Sequence, residues 1–205
     1  MTGLFLTFEG GDGSGKSTQS ALLAEWLEQQ GRTVLLTREP GGTDLGNEIR
    51  DIVLHRRGHI APRAEALLYA ADRAHHIATK VRPALERGDI VLQDRYLDSS
   101  VAYQGAGRVL EGAEVRNLSL WAAEDLLPDL TILLDLDENV GRDRLTAART
   151  KYDRLEDEEQ DFHARVRDGY LALAAAEPGR FLVLNATDSV ESLSTTIRDR
   201  VQALL

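Results

Sequence analysis

A chain of 205 residues, 42% of them apolar, holds enough hydrophobic material for one α/β domain with a small lid, and it is not a disordered segment. The formal charge of −10 argues against a nucleic-acid surface, and no apolar run approaches the ~18 residues that a membrane span needs. Without cysteine there are no disulfides or thiolate metal sites, which suits a cytoplasmic enzyme, and the start of the chain has no basic n-region of a signal peptide.

The run Leu4–Phe8 reads as a strand and leads directly into Gly10-Gly11-Asp12-Gly13-Ser14-Gly15-Lys16-Ser17-Thr18. That stretch fits the phosphate-loop pattern G-x-x-x-x-G-K-[ST]. Leu22, Leu23, Trp26 and Leu27 follow at helical spacing, so the loop stands between a strand and a helix as its chemistry requires. Glycines let successive backbone N–H groups turn inward around phosphate oxygens at the positive end of that helix. Lys16 is placed to reach β- and γ-phosphates, and the Ser17 hydroxyl suits Mg²⁺.

Four further β-rich runs, Thr33–Thr37, Ile90–Gln93, Leu130–Leu134 and Phe181–Leu184, alternate with helical patterns. Alternation of this kind predicts a parallel sheet of five strands flanked by helices on both faces, with ligands at the carboxyl ends of the strands. After the second run, Pro40, Gly41 and Gly42 force a turn and Asp44 is placed to cap a helix through Ile49, Ile52 and Val53. Arg38 and Glu39 fit a surface ion pair at a strand end as well as a functional role. A long helical stretch, Arg63 to Arg87, puts Leu67, Leu68, Ala71 and His75 on one face and makes Tyr69 and Arg73 an i,i+4 pair. By position alone Tyr69 belongs in the core and Arg73 in solvent.

The third run ends in Asp94-Arg95-Tyr96, and a carboxylate at a strand end beside a phosphate loop is where a metal shell is held. Ser99, Ser100, Tyr103 and Gln104 follow, with Gly105 and Gly107 as a break. Glu111–Leu127 reads as a helix. The acidic segment Asp135–Glu138 starts another, which carries Arg142, Arg144 and Arg149 and is followed by Lys151, Asp153 and Arg154. Such a charged patch is usually a solvated face, but its place after the fourth strand suits a mobile lid, about residues 142–160. An amphipathic helix with Phe162, Val166, Tyr170, Leu171 and Leu173 precedes Pro178-Gly179. Asn185-Ala186-Thr187-Asp188 lacks the lysine of a guanine-reading N-K-x-D, and a helix over Ser189–Leu205 closes the chain.

Taken in order, Phe8-Glu9-Gly10, Thr37-Arg38-Glu39-Pro40-Gly41-Gly42-Thr43, Tyr69 with Arg73, Asp94-Arg95-Tyr96, Ser99–Gly105 and the arginine-rich lid resemble the thymidylate kinases over nearly the whole chain. The resemblance implies a P-loop NTPase fold, a homodimer, and Mg²⁺-dependent transfer of the γ-phosphate of ATP to dTMP. It implies that Arg73 hydrogen-bonds thymine O4, that Tyr69 (usually Phe in the family) stacks on the ring, and that Ser100 meets N3. Tyr103 would crowd the sugar 2′ position, and Gln104 belongs to the same acceptor cluster. Arg95, with Arg38, would hold the acceptor phosphate, and Asp12 would contact the acceptor or a magnesium water. Arg144 would lie near adenine beside Ala186 and Thr187, and Ser17 with Asp94 would serve the metal. Gly13 together with the basic lid resembles the kind of thymidylate kinase that keeps its catalytic arginine in the lid, which points to Arg149, with Lys151 or Arg154 as substitutes.

The chemistry needs no general base, because a phosphate monoester is already ionised at neutral pH. Positioning and positive charge from Lys16, Mg²⁺, Arg95 and a lid arginine have to do the work. Two other readings stay open on the sequence. One is a kinase of a hydroxyl acceptor such as a nucleoside, with Glu9 or Glu39 as base. The other is a nucleotide-dependent switch.

Overall fold

Short apolar runs form β1 (Leu4–Glu9), β2 (Val34–Arg38), β3 (Ile90–Asp94), β4 (Leu130–Asp135) and β5 (Phe181–Asn185). In the computed structural model, which describes residues 3–56, 58–108, 110–148, 154–156 and 158–205, they pair in parallel in the order β2-β3-β1-β4-β5. The central strands β1, β3 and β4 are buried on both faces, whereas the edge strands β2 and β5 are partly open. Register aligns the strand ends: Phe8 lies opposite Asp94 and Ile132, and Arg38 lies opposite Asp94. The chain winds one way from β1 to β2 and the other way towards β5. The loop after β1 therefore opens at the point where the winding reverses.

The helices are α1 (Lys16–Gln29), α2 (Asp44–Arg50), α3 (Pro62–His76), α4 (Arg82–Glu86), α5 (Leu97–Ser100), α6 (Gly112–Ala122), α7 (Glu138–Ala148), α8 (Gln160–Ala176) and α9 (Val190–Gln202). Wide π-helical turns at Asp51–His55, Ile77–Val81 and Val101–Gly107 continue α2, α3 and α5. On one side of the sheet Leu23 and Leu27 of α1 and Leu193, Ile197 and Val201 of α9 pack on Leu6, Phe8, Leu92 and Ile132. On the other, Ile77, Val81 and Leu85 cover Phe5 and Val91. Among the described residues no helix is long and apolar enough to cross a membrane.

Several sequence expectations are corrected by tertiary packing. The cap of α2 is Thr43, whose Oγ1 accepts from the Gly46 N–H at 2.9 Å, and Asp44 is the first helical residue. Ile49 and Val53 are buried there but Ile52 is exposed. Arg73 is not in solvent: α3 buries Glu65, Tyr69, Asp72, Arg73 and His76 and leaves Leu67 exposed. Gly105 and Gly107 lie inside a helical turn and not at a break. A Cβ on Gly107 would stand 2.7 Å from the Phe162 ring, so that glycine admits α8. The helix expected to run to Leu127 ends at Ala122, with Glu124 and Asp125 left-handed after it.

Candidate active site

The phosphate loop is shaped by glycines at positive φ: Gly10 at 132°, Gly13 at 76° and Gly15 at 94°. At Gly10 a side chain is impossible, because its Cβ would lie 2.4 Å from the Leu134 carbonyl oxygen. Gly15 caps α1 and its carbonyl accepts from the Gln19 N–H at 3.0 Å. Lys16 folds back over the loop and donates from Nζ to the carbonyls of Gly10 (3.0 Å) and Gly11 (2.9 Å). Burial, with Arg95 nearby, pulls its ammonium below the ordinary lysine value. Gly11, Ser14 and Thr18 complete the loop, the last two as a buried and an exposed hydroxyl.

Beside the loop, Ser17 Oγ donates to Asp94 Oδ2 at 3.1 Å, while Asp94 Oδ1 is buried with no partner among the described residues. A hydroxyl and a carboxylate with spare acceptor capacity suit a hard divalent cation that takes its remaining ligands from phosphate and water. No cluster of three or more His, Asp or Glu that could hold a metal occurs among the described residues.

Arg95 follows β3 in the left-handed region (φ 66°), a strained conformation for a long side chain. The turn throws its guanidinium across to the phosphate loop, where Nη2 donates to Asp12 Oδ1 at 2.6 Å. Nη1 donates to Ser99 Oγ and to the Tyr170 hydroxyl, both at 3.3 Å, and the group sits 4.9 Å above the Tyr103 ring. Burial alone would raise the Asp12 carboxyl, but Arg95 and Lys16 outweigh it and hold the group at about 2. Tyr103 also donates to Asp12, at 3.4 Å.

A cleft of about 510 Å³ runs from the phosphate loop along α3, well within the size range of small-molecule sites. Asp12, Gly13, Gly15, Lys16, Ser17, Thr18, Asp94, Arg95 and Arg144 line it, with Tyr103 against Arg95 and Asp12. Tyr69 and Arg73 of α3 line it too, together with Arg38, Ser100 and Gln104. Arg73, expected in solvent, is 1% exposed. It donates from Nε to Glu39 Oε2 (2.9 Å), from Nη1 to Ser119 Oγ (3.0 Å) and from Nη2 to Ser100 Oγ (3.2 Å). Two of its five N–H groups remain for the cleft. Glu39 is likewise buried and pairs with Arg73 and His76, so the surface ion pair with Arg38 does not form. Arg38 is exposed at the cleft edge. Gln104 donates from Nε2 to Glu65 Oε1 at 2.9 Å, which fixes the orientation of its amide.

Arg144 donates to the Gly13 carbonyl (3.3 Å) and the Ala186 carbonyl (3.1 Å), bringing α7, the phosphate loop and the loop after β5 together. Arg149 and Lys151 lie outside the described residues. Arg154 donates to Glu65 and, at 2.7 Å, to the Val53 carbonyl. Neither carboxylate considered as a base is free. Glu9 is buried and accepts four hydrogen bonds, from Tyr96 N–H (2.7 Å), Ser99 N–H (3.3 Å), Ser99 Oγ (2.6 Å) and the Tyr170 hydroxyl (2.8 Å). Burial and Asp98 push its carboxyl up to about 7. Glu65, Ser119 and Tyr170 were not picked out as site residues from sequence. For Tyr170 the one available hint was a core tyrosine, whose hydroxyl needs a polar partner.

A parallel sheet with a phosphate loop at its switch point, opening into a cleft lined by several arginines, is the architecture of a P-loop phosphotransferase. The model of the family described as thymidylate kinase matches residues 8–197. The thymidylate kinase of Clavibacter sepedonicus is 72% identical over 205 residues, covering 100% of this chain and 97% of its own. That of Leifsonia xyli subsp. xyli is 74% identical over 199 residues, covering 97% and 94%. The crystal structure of thymidylate kinase from Ehrlichia chaffeensis superposes with a TM-score of 0.80 at 32% identity, covering 98% of this chain and 99% of that one. The chain belongs to the thymidylate kinase family.

Beneath the cleft, Asp72 is buried and accepts from the Gly41 N–H at 3.3 Å; burial and neighbouring Glu39 push its carboxyl up to about 8. A carboxyl raised in the fold above its unfolded value near 4 holds its proton more tightly when folded. The stability this confers is complete below pH ~4 and is lost as pH rises towards 8. Asp72→Asn, which cannot ionise, is therefore expected to gain stability over the parent as pH rises from 5 to 8, by up to about 1.4 kcal/mol per pH unit. Denaturant titrations of both proteins across that range check this, and a constant difference would refute it.

Proposed function

We infer that this chain transfers the γ-phosphate of ATP to dTMP, giving dTDP, with the two nucleotides phosphate to phosphate along the cleft. Family membership supports the reaction. The observation that carries the acceptor assignment is Arg73, a buried cation held by three partners with donors left over at the end of the cleft away from the phosphate loop. A fixed donor there suits thymine O4, and it would face a donor on cytosine, whose amino group occupies that position. Tyr69 lies one helical turn before Arg73 on the same wall and offers a ring to stack on. Ser100 serves N3, and Tyr103 with Gln104 closes the sugar side.

At the reacting end Lys16 leaves the loop carbonyls for the β- and γ-phosphates, and the phosphate-loop N–H groups take up the remaining oxygens. Arg95 exchanges part of its pairing with Asp12 for the acceptor phosphate, helped by Arg38. Ser17 and Asp94 hold Mg²⁺, which neutralises phosphate charge when bound. The acceptor is already an anion and Glu9 and Glu39 are both engaged, so no base is required and transfer relies on alignment and charge. Arg144 and the Ala186–Thr187 backbone flank adenine. Residues 142–160 act as the lid that excludes water, and Arg149 brings the last positive charge. The acidic, cysteine-free chain suits the cytoplasm. Leu67 (57% exposed) and Trp121 (78% exposed) on neighbouring helices α3 and α6 support a homodimer through that face.

An acceptor screen with ATP tests the reaction: rapid turnover of dTMP is expected, and turnover of thymidine alone would overturn the reading. Arg73→Ala is expected to raise the KM for dTMP roughly 10-fold or more and to relax base choice, since a charge-assisted hydrogen bond is worth about 1.5–3 kcal/mol. Unchanged kinetics would remove Arg73 from base reading. Arg149→Ala should lower kcat about 100-fold with little change in the KM for dTMP; an intact kcat would move the lid charge elsewhere. Sedimentation velocity should show a dimer that Trp121→Glu converts to monomer, and a monomeric parent would end the dimer proposal.

A further inference from the structure

The phosphate loop and α7 come together at two residues without side chains, Gly13 and Gly141. A Cβ on Gly13 would lie 2.8 Å from the Gly141 carbonyl oxygen and 3.3 Å from its Cα. From the other side, a Cβ on Gly141 would lie 2.8 Å from the Asp12 carbonyl oxygen. The obstacles are backbone on both sides, so neither can rotate away. Restoring ordinary contact means moving the helix or the loop by roughly half an ångström or more. Gly141 is buried and sits within the helix, where alanine would be the better helix former. Local stability therefore gives no reason for glycine, and the backbone contact does. One turn further on, Arg144 bonds to the carbonyls of Gly13 and Ala186, so the contact also sets the distance over which that arginine spans. On the loop side, Asp12 carries the carboxylate that holds Arg95.

We propose that Gly141 is a positioning residue for phosphoryl transfer: its bare Cα seats α7 directly on the phosphate loop at Gly13 and so fixes where the root of the lid stands above the donor phosphates. The proposal rests on the reading of the cleft as an ATP- and dTMP-binding site. A side chain at either glycine lifts α7 as a unit, carries Arg144 and the start of the lid with it, and leaves the acceptor wall on α3 in place. Displacements of about 1 Å in positioning elements are enough to cost on the order of 100-fold in rate. The same contact fills the space into which a side chain at position 13 would project.

The test compares the parent with Gly141→Ala, Gly13→Ala and the double variant, and uses Asp143→Ala, at an exposed position of α7, as a helix control. For Gly141→Ala kcat is expected to fall roughly 10- to 100-fold and the KM for ATP to rise severalfold. The dissociation constant of dTMP measured without ATP should stay within about twofold, and the thermal midpoint within a few degrees of the parent. Because both added methyl groups enter one gap, the double variant should lose less than the product of the single losses. A kcat for Gly141→Ala within twofold of the parent overturns the proposal, as do strictly multiplicative losses in the double variant. Parallel loss of dTMP affinity and thermal stability would also overturn it, by making the residue merely structural. A parent that fails to phosphorylate dTMP would sink the proposed function instead. The seat would then still be read from ATP binding alone, expected to weaken in Gly141→Ala and not in Asp143→Ala.

Discussion

One buried carboxylate holds together the three segments that meet beside the phosphate loop. Glu9 ends β1 immediately before the phosphate loop, and its oxygens are shared among the Tyr96 and Ser99 N–H groups, the Ser99 hydroxyl and the Tyr170 hydroxyl. The strand that launches the loop is thereby tied to the turn after β3 and to α8. Arg95 lies in that turn, adjacent to Tyr96, so the hydrogen bonds to Glu9 brace a left-handed backbone that would otherwise relax. Ser99 and Tyr170 serve twice, since each contacts both Glu9 and Arg95. A carboxylate buried away from water is expensive unless its lone pairs are satisfied, and four donors satisfy them here.

A second buried polar network performs the same service at the other end. Arg73 is surrounded by Glu39, Ser100 and Ser119, and Glu39 passes on to His76, whose other ring nitrogen pairs with Thr37 at 2.7 Å. Such a network contributes little net stability, because desolvating charged groups offsets most of their attraction. What it does confer is a guanidinium that cannot swing. The Arg73 wall of the cleft is therefore held by fixed partners on several segments, whereas beside the phosphate loop Lys16 is bonded to its own loop and Arg95 to Asp12.

Much of this was legible in the sequence because it is local. The phosphate loop is a contiguous pattern with a strand before it and a helix behind it, and the five strands announce themselves as short apolar runs between helical ones. Asp94 could be placed because register aligns strand ends. What was not legible depends on partners far along the chain. Arg73 lies 34 residues from Glu39 and 46 from Ser119, and an isolated arginine on a helix has no mark of being buried. For the same reason the pattern of α3 does not show that Glu65, Asp72, Arg73 and His76 are buried beside Ala66, Tyr69 and Ala70 while Leu67 stays exposed. Gly105 and Gly107 read as a break in sequence, yet both lie inside a helical turn, and Gly107 leaves room there for the Phe162 ring of α8. The bonds of Arg154 to Glu65 and to the Val53 carbonyl likewise span residues far apart in the chain.

The placement of the two tryptophans has a practical side. Trp26 packs against the core on α1 with Arg198 6.0 Å over its ring, and Trp121 stands in solvent on α6. Neither lines the cleft. Intrinsic fluorescence of this chain therefore has a quiet reporter in the core and an open one on the surface. Its emission is insensitive to direct contact with a nucleotide and responds instead to whatever covers the outer face of α6.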